Sequence, residues 1–395
     1  MKSYSLKGRL DDSLKIIPDN APSFSKNLEI AVYTKLDSWI KNRMFDEFGN
    51  FDAEYFFKEK GISINTLDTY DDFKKCDYII FLEIAHPFKD PVFIECIKHN
   101  LENKLIYFAY EPELHNEHHS LSGLKNLANY FKYIFTWNDD VVDNKTFFKF
   151  NYCCNFDLFP CVLEAKNRNK LLTSISSNAV SSDPKELYSK RREVIDFFEN
   201  NFSDDYDFYG MGWDKTLFKN CHGIIESKYQ LIQSSRTKSK YDVFINYKFA
   251  VCFENIRVKG YISEKILDSL IAGTVPIYLG APNIAEYIPS NCFIDYAQFG
   301  SVREMYDFIK NMDESTYDNY INNINSFLNS DLIKPFTWEN FHVNLYKLIE
   351  YDQNNPETFK IKAYKKFRIL FLYTLRTIER NIRKIRKNMK KNRPR

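Results

Sequence analysis

The sequence predicts an α/β protein built from two Rossmann-like parallel sheets, and three observations carry that prediction. Its 395 residues exceed the usual size of one domain, so two domains of about 150 to 200 residues are expected. Short apolar runs of strand length recur with gaps wide enough for helices, which is the rhythm of parallel βαβ units. Finally, 44% hydrophobic, 17% aromatic and 27% charged residues describe an ordered chain able to bury two cores.

In the first half, LEIAVY (28–33), DYIIFLE, KLIYFA (104–109) and YFKYIFTWND (130–139) read as strands of one doubly wound sheet. A second set starts near residue 170 with KLLTSISS and continues through DFYGMGW, YKFAVCFEN, VPIYLG and CFIDY. Among the intervening helical segments, PKELYSKRREVIDFFENNF places Leu187, Val194, Ile195 and Phe198 on one face. The predicted boundary lies in EAKNRNK, giving domains over 1–165 and 166–350 and a tail over 351–395. In that tail Phe367, Phe371, Leu375, Ile378, Ile382, Ile385 and Met389 recur at helical spacing, with Lys and Arg over much of the other face.

Charge separates the same regions. Of the net charge of +2, residues 357–395 supply +13, from fifteen Lys and Arg against Glu357 and Glu379, which leaves residues 1–356 at −11. A basic amphipathic helix beside an acidic body fits an anionic membrane surface, with a homodimer seam through the same stripe as the competing reading. The acidic body argues against nucleic acid. The amino terminus shows no apolar signal core, and no run of 18 apolar residues occurs. Eight cysteines without a C-x-x-C pair, several inside apolar runs, fit reduced buried thiols. The expectation is a cytoplasmic protein attached peripherally to the inner membrane through residues 360–395.

One stretch carries the chemistry. CFENIRVKGYISEKILDSLIAGTVPIYLGAPN (252–283) reads as a strand, a short helix capped by Ser263 and stopped at Gly273, and a second strand. Such a unit puts the helix start at the carboxy-terminal edge of the sheet, where open α/β folds bind ligands. A helix start favours phosphate, and Lys265 adds a full positive charge there. Glu264 repels phosphate and is suited to accept from hydroxyls, so a ligand with a diphosphate and a ribose uses both. The plainer alternative makes Glu264 a favourable first-turn acid and Lys265 a solvated surface residue.

The stretch YKFAVCFEN...GYISEKILDSLIAGTVPIYLGAPN resembles the donor-site signature of family 10 glycosyltransferases, the α1,3/4-fucosyltransferases. That signature runs F-x-x-x-F-E-N, five residues, Y-x-T-E-K, then A-x-x-x-x-P-[VI]-x-x-G. The spacer from Asn255 to Tyr261 is kept, and Ser263 for Thr keeps the hydroxyl cap. The resemblance covers about fifty residues and implies a GT-B architecture and inverting transfer of L-fucose from GDP-β-L-fucose. It implies that Glu264 binds the donor ribose, that Lys265 binds the diphosphate, and that Tyr261 and Asn255 line the same pocket. It also implies a diphosphate arginine on the upstream helix, where Arg191 fits better than its neighbour Arg192.

Inverting transfer needs a carboxylate to take the acceptor proton. The family places it in an E-S-P-like segment just after a strand, which matches YFAYEPELHNEHHS and points to Glu111. Because this chain reads E-P-E, Glu113 stays as the alternative. His115, His118 and His119 also admit a zinc reading, for which no fourth ligand is evident, and an acceptor-binding loop is the expectation. The acidic pairs at 139–140 and 204–207 resemble cation-binding D-x-D; no metal is assigned, although Mn or Mg stimulation stays open. Trp213 marks either a loop near the donor or a packing aromatic, and GAPN (280–283) is expected to start a helix at Pro282 and close the donor pocket.

The resulting expectation is a metal-independent fucosyltransferase that needs no cofactor and acts on an oligosaccharide or lipid-linked glycan. N-acetyllactosamine-type α1,3 transfer and a capsule or O-antigen sugar are both open. The alternatives are a transferase using another nucleotide sugar and an inactive membrane-associated glycan-binding scaffold.

Overall fold

A computed structural model describes residues 27–391, apart from 48–50, 85, 155, 157–167 and 226–233. The predicted boundary near 160–170 lies mostly outside the described residues, as does the Met389 side chain.

The first sheet holds β1 (Leu28–Tyr33), β2 (Ile62–Thr66), β3 (Tyr78–Leu82), β4 (Leu105–Ala109), β5 (Tyr133–Thr136) and β6 (Phe147–Lys149). They lie in the order β2-β1-β3-β4-β5-β6 with every pair parallel. The second holds β7 (Lys170–Ile175), β8 (Tyr206–Tyr209), β9 (Cys221–Gly223), β10 (Tyr247–Phe253), β11 (Val275–Leu279) and β12 (Ile294–Asp295). Its order is β12-β11-β10-β7-β8-β9, again all parallel. Strand order therefore reverses at β1/β3 in one sheet and at β7/β10 in the other, and the crevice beyond such a reversal is where an α/β sheet takes a ligand.

The described α-helices are α1 (Ala53–Glu59), α2 (Pro91–Lys98), α3 (Leu121–Leu127), α4 (Tyr188–Asn201), α5 (Ser234–Phe244), α6 (Glu264–Ile271), α7 (Val302–Lys310), α8 (Glu314–Leu328), α9 (Trp338–Asn354) and α10 (Ala363–Lys391). Leu187, Val194, Ile195 and Phe198 are all buried, so the inward face read from the sequence is the one α4 presents. Strands β2, β6 and the three-residue β9 were not anticipated. ISINT alternates with polar residues and FFK is three residues long, so neither stands out as a buried run.

Helix α9 belongs by chain position with the second sheet, yet it packs on the first. Leu345, Leu348 and Ile349 join the core under β1, β3 and β5. Asp352 accepts from Tyr78 (2.7 Å) and Tyr133 (2.5 Å) and pairs with Lys132 at 2.5 Å. The expectation of a second domain running to residue 350 thus differs from the packing, because a late helix returning to an earlier sheet leaves no local signal.

The two halves are bound along one seam. Asp139, the first residue of the acidic pair, accepts from Asn283 Nδ2 (2.8 Å) and Tyr287 (2.7 Å) and pairs with Lys149 at 2.8 Å. The backbone of Gly260 has φ +76°, and a Cβ there would lie 2.3 Å from the Trp137 carbonyl oxygen, so only glycine permits this approach. GAPN sits in this seam; its following turn is a 3-10 helix at Ile284–Glu286 rather than an α-helix from Pro282.

Helix α10 docks on the first domain through Ile369, Leu370 and Tyr373. Lys366 pairs with Glu102 and bonds Asn100 at 2.8 Å. The stripe itself stays exposed, from Phe367 at 70% through Leu375, Ile378, Ile382 and Ile385. Among the described residues no helix is long and apolar enough to cross a membrane.

Candidate active site

Helix α6 starts as its sequence dictates, with the Ser263 side chain as N-cap, and Gly273 adopts φ +65° after its last turn. Beneath the cap lies a residue the sequence reading passed over. Glu254, at the end of β10, is fully buried and accepts from Ser263 N (2.8 Å) and Ser263 Oγ (2.6 Å). Its Oε2 is 3.4 Å from Lys265 Nζ, and Lys265 donates to Ser263 Oγ at 2.9 Å. A carboxylate ending the buried apolar run FAVCF must find buried partners, and that mismatch was the available signal.

Arg191 reaches the same edge from α4. It donates to the Phe253 carbonyl (2.7 Å) and to Asn255 Oδ1 (2.8 Å), and its guanidinium lies 5.0 Å over the Tyr188 ring. Arg192 points away and bonds Asn178 Oδ1 at 2.6 Å. A third cation, Lys240 on α5, pairs with Asp268 at 2.7 Å and stands 3.9 Å from Glu264. Its surrounding sequence SRTKSKYD carries no motif or apolar pattern that singles it out.

Arg191, Asn255, Glu264, Lys265, Lys240 and Asp268 line one cleft of about 560 Å³, floored by the strand ends at the β7/β10 reversal. Burial alone would raise the Glu264 carboxyl, but Lys265 and Lys240 outweigh it and hold it at about 2. Burial would likewise lower Lys265, and Glu264 with Glu254 push it up instead. Three cations and three carboxylates thus meet at the cleft, where opposite charges offset part of what burial costs Glu264 and Lys265. Asp268 is the exception to full pairing: burial raises it, and its Oδ1 has no hydrogen-bond partner among the described residues.

Tyr261 departs from expectation. Its side chain is 1% exposed and packs edge-on against Trp137 (5.0 Å) and Tyr152 (5.8 Å), both from the first half of the chain. It does not line the cleft; its bulk joins the two halves behind the site.

The facing wall comes from the loop after β4. Glu83, just past β3 with φ +49°, accepts from the backbone N–H groups of Tyr110 (3.0 Å) and Glu111 (2.9 Å) and from Asn116 Nδ2 (3.2 Å). The Glu111 carbonyl accepts from Trp137 Nε1 (3.3 Å) and bonds His119 Nδ1 at 2.6 Å. The loop is therefore held on both sides while the Glu111 carboxylate remains 36% exposed. Its Oε2 lies 2.9 Å from His115 Nδ1, and His115 Nε2 lies 3.1 Å from the Tyr188 hydroxyl. His115 also lines the cleft, so the chain Glu111–His115–Tyr188–Arg191 spans it. Glu113 is paired with Lys185 across the gap, with only 13% of its side chain exposed.

The three clustered histidines are separated. His115 faces the cleft, His119 is buried against Tyr107 at 3.1 Å, and His118 points toward Phe88. Three of these acidic residues make structural contacts: Asp139 in the seam, Asp205 on Lys310 and Tyr306, Asp207 on Lys170, His222 and Tyr247. Trp213 is a packing aromatic, set on Phe208 with its Nε1 donating to the Ser176 carbonyl at 2.7 Å.

Residues 165–332 match the family model described as glycosyltransferase family 10 (fucosyltransferase), C-terminal. Over this region the chain resembles family 10 glycosyltransferases. Relatives of the chain include an α-(1,4)-fucosyltransferase of Arabidopsis thaliana, 38% identical over 77 residues, 19% of each chain. The α-(1,3)-fucosyltransferase FucT of Helicobacter pylori is 38% identical over 73 residues, 18% of this chain and 15% of that one. The GDP-fucose protein O-fucosyltransferase 3 of Rattus norvegicus is 30% identical over 164 residues, 40% of this chain and 31% of that one. The matches thus span a third or less of these curated relatives. Among solved structures, an α1,3-fucosyltransferase with GDP-fucose superposes with TM-score 0.52 at 16% identity, over 88% of this chain and 96% of that one. Anabaena Alr3699/HepE in complex with UDP-glucose superposes with TM-score 0.50 at 11% identity, over 82% and 99%. Both establish the architecture: two parallel α/β sheets of GT-B type, with the region matched by the family model forming the second.

Proposed function

We propose that the protein transfers L-fucose from GDP-fucose to a hydroxyl of a glycan acceptor, with inversion at the anomeric carbon. The observation that carries this reading is the single cleft into which the region matched by the family model sends Arg191, Lys265, Lys240 and Glu264, while the opposite wall supplies His115 bonded to Glu111. Lys265 and Arg191 hold the diphosphate, and Glu264, ionised down to about pH 2, accepts the ribose hydroxyls. Asn255 orients Arg191.

In the transfer step Glu111 takes the proton of the acceptor hydroxyl as its oxygen bonds to the anomeric carbon. The carbon–oxygen bond to phosphate breaks, and GDP departs with the electron pair. Fixed cations stabilise the charge that accumulates on the diphosphate, so the step runs without a metal there. Glu113 does not compete, because Lys185 occupies it. The exposed stripe of α10, with its Lys and Arg, rests on an anionic membrane surface at up to about 1 kcal/mol per basic residue.

The test is donor binding by calorimetry with GDP-fucose, GDP-mannose and UDP-glucose, followed by NMR of the product's anomeric configuration in EDTA. Binding of GDP-fucose alone, lost in Lys265→Ala, and an α-fucosyl product support the reading. Preference for UDP-glucose, whose complex adopts the same architecture in HepE, overturns the sugar assignment.

A further inference from the structure

The loops after β3 and β4 bring together three groups that the transfer reaction leaves unused. His86 follows β3, Glu117 and His118 follow β4, and their ligand atoms all lie within 4.8 Å of one another. Among the described residues no other group of three His, Cys, Asp or Glu side chains gathers this closely. The other two exposed histidines outside the cleft each face a carboxylate instead: His99 lies 3.5 Å from Glu95, and His222 lies 2.6 Å from Asp207.

We propose that His86, Glu117 and His118 bind one divalent transition-metal ion of the zinc type, which ties the loop after β3 to the loop that carries Glu111. Two imidazole nitrogens and one carboxylate are the donor set of zinc and its first-row neighbours, whereas Mg²⁺ and Ca²⁺ prefer all-oxygen cages. Around such an ion ligand atoms stand about 3.4 Å apart, so small rotations suffice to close the present spacing. His86 and Glu117 are exposed and free to make them, and a fourth position stays open to water.

The backbone beneath is already fixed, which is what a metal site requires of its scaffold. Asn116 Oδ1 accepts from His118 N at 3.2 Å, while Asn116 Nδ2 donates to Glu83. Helix α3 presses so closely on this turn that a Cβ at Gly123 would sit 2.6 Å from the His118 carbonyl oxygen. Phe88 walls one side of the His118 ring at 5.3 Å. Restraint at Glu117 and His118 passes through Asn116 to Glu83, which itself holds the backbone of Tyr110 and Glu111. The ion therefore stiffens the wall of the cleft without touching the reacting atoms.

The experiment uses the full chain stripped with chelator, titrated with Co²⁺ by visible absorption and with Zn²⁺ in competition. One equivalent is expected to bind, and His86→Ala, Glu117→Gln and His118→Ala are each expected to weaken binding by at least about tenfold, the loss that even an outer-shell partner produces. His222→Ala should bind as the parent does. Because His86 is exposed, its variant keeps the test decisive if His118→Ala fails to fold. Zn²⁺ should also slow amide exchange across residues 110–119 in the parent and leave His86→Ala unchanged. The proposal is overturned if the parent binds no stoichiometric metal, if His86→Ala binds as tightly as the parent, or if exchange in 110–119 does not respond.

Discussion

The two walls of the cleft are built by opposite means. On the second sheet the charged side chains come from a strand end and the first turn of α6, within eleven residues of one another, with Arg191 and Lys240 added from neighbouring helices. On the first sheet one carboxylate is exposed, and it is positioned by groups distant in the chain: Glu83 beneath it, Trp137 behind it and Tyr188 across the gap. On the proposed function, the wall that binds the donor is dense and local, and the wall that takes the acceptor proton is sparse and depends on long-range support. Removing a group from the first wall should therefore affect turnover, and from the second, donor affinity.

The largest break of this division is Glu111→Gln. Loss of a general base costs about 10² to 10⁴ in kcat, while the GDP-fucose dissociation constant should stay within twofold of the parent, roughly the precision of such comparisons. Glu113→Gln should leave kcat nearly unchanged, since its carboxylate is engaged by Lys185. Steady-state kinetics with parallel calorimetry separates the two. If Glu113→Gln is the inactive variant, the assignment of the base is reversed.

A second test concerns stability on the first half. His342 on α9 is buried, and desolvation lowers it from its ordinary 6.5 to about 4. The unfolded chain therefore takes up a proton at a pH where the folded one does not. Stability is full above about 6.5 and falls as the pH drops toward 4, by about 3 kcal/mol at the end of that window. Urea melts at pH 7 and pH 4.5 should show a loss in the parent that His342→Leu lacks. An identical loss in both would assign the acid sensitivity elsewhere.

On the second wall, Lys265→Ala should weaken GDP-fucose binding by about ten- to a hundredfold, the worth of one charge-assisted contact to phosphate. Glu264 then faces the diphosphate with one cation fewer, which adds repulsion to the lost contact. The unfolding midpoint should fall as well, because Lys265 is a cation beside the fully buried Glu254 carboxylate, and Arg191 and the Ser263 cap replace it only in part.

The same division decides what could be read from the sequence. Ser263, Glu264, Lys265 and Gly273 were legible because a strand, a cap, a first turn and a stop are neighbours in the chain, and Arg191 followed from the resemblance. Tyr261 was misplaced for the converse reason: proximity to the motif says nothing of which way a side chain turns, and Trp137 and Tyr152 claimed it for the seam. Glu83 and Lys240 had no local signature, since each acquires its role only from partners 24 or more residues away. Helix α9 escaped for the same reason, its partners Tyr78 and Tyr133 lying more than 200 residues earlier.

The smallest expected effect is the sharpest test of the link between the walls. Burial raises the Tyr188 hydroxyl, so it stays protonated and donates to His115 Nε2, which fixes the proton on Nδ1 and directs it at Glu111. Tyr188→Phe removes that hydroxyl but keeps the ring beneath Arg191, so the donor site is preserved. One neutral hydrogen bond is worth about 1 kcal/mol, which predicts a decrease in kcat of about fivefold with the GDP-fucose dissociation constant unchanged. The pH profile should shift as well, because a histidine released from Tyr188 can turn its lone pair toward Glu111 and lose the bond. A variant that weakens donor binding instead would mean that the hydroxyl serves Arg191, and the two walls would then be coupled through the cation rather than through the base.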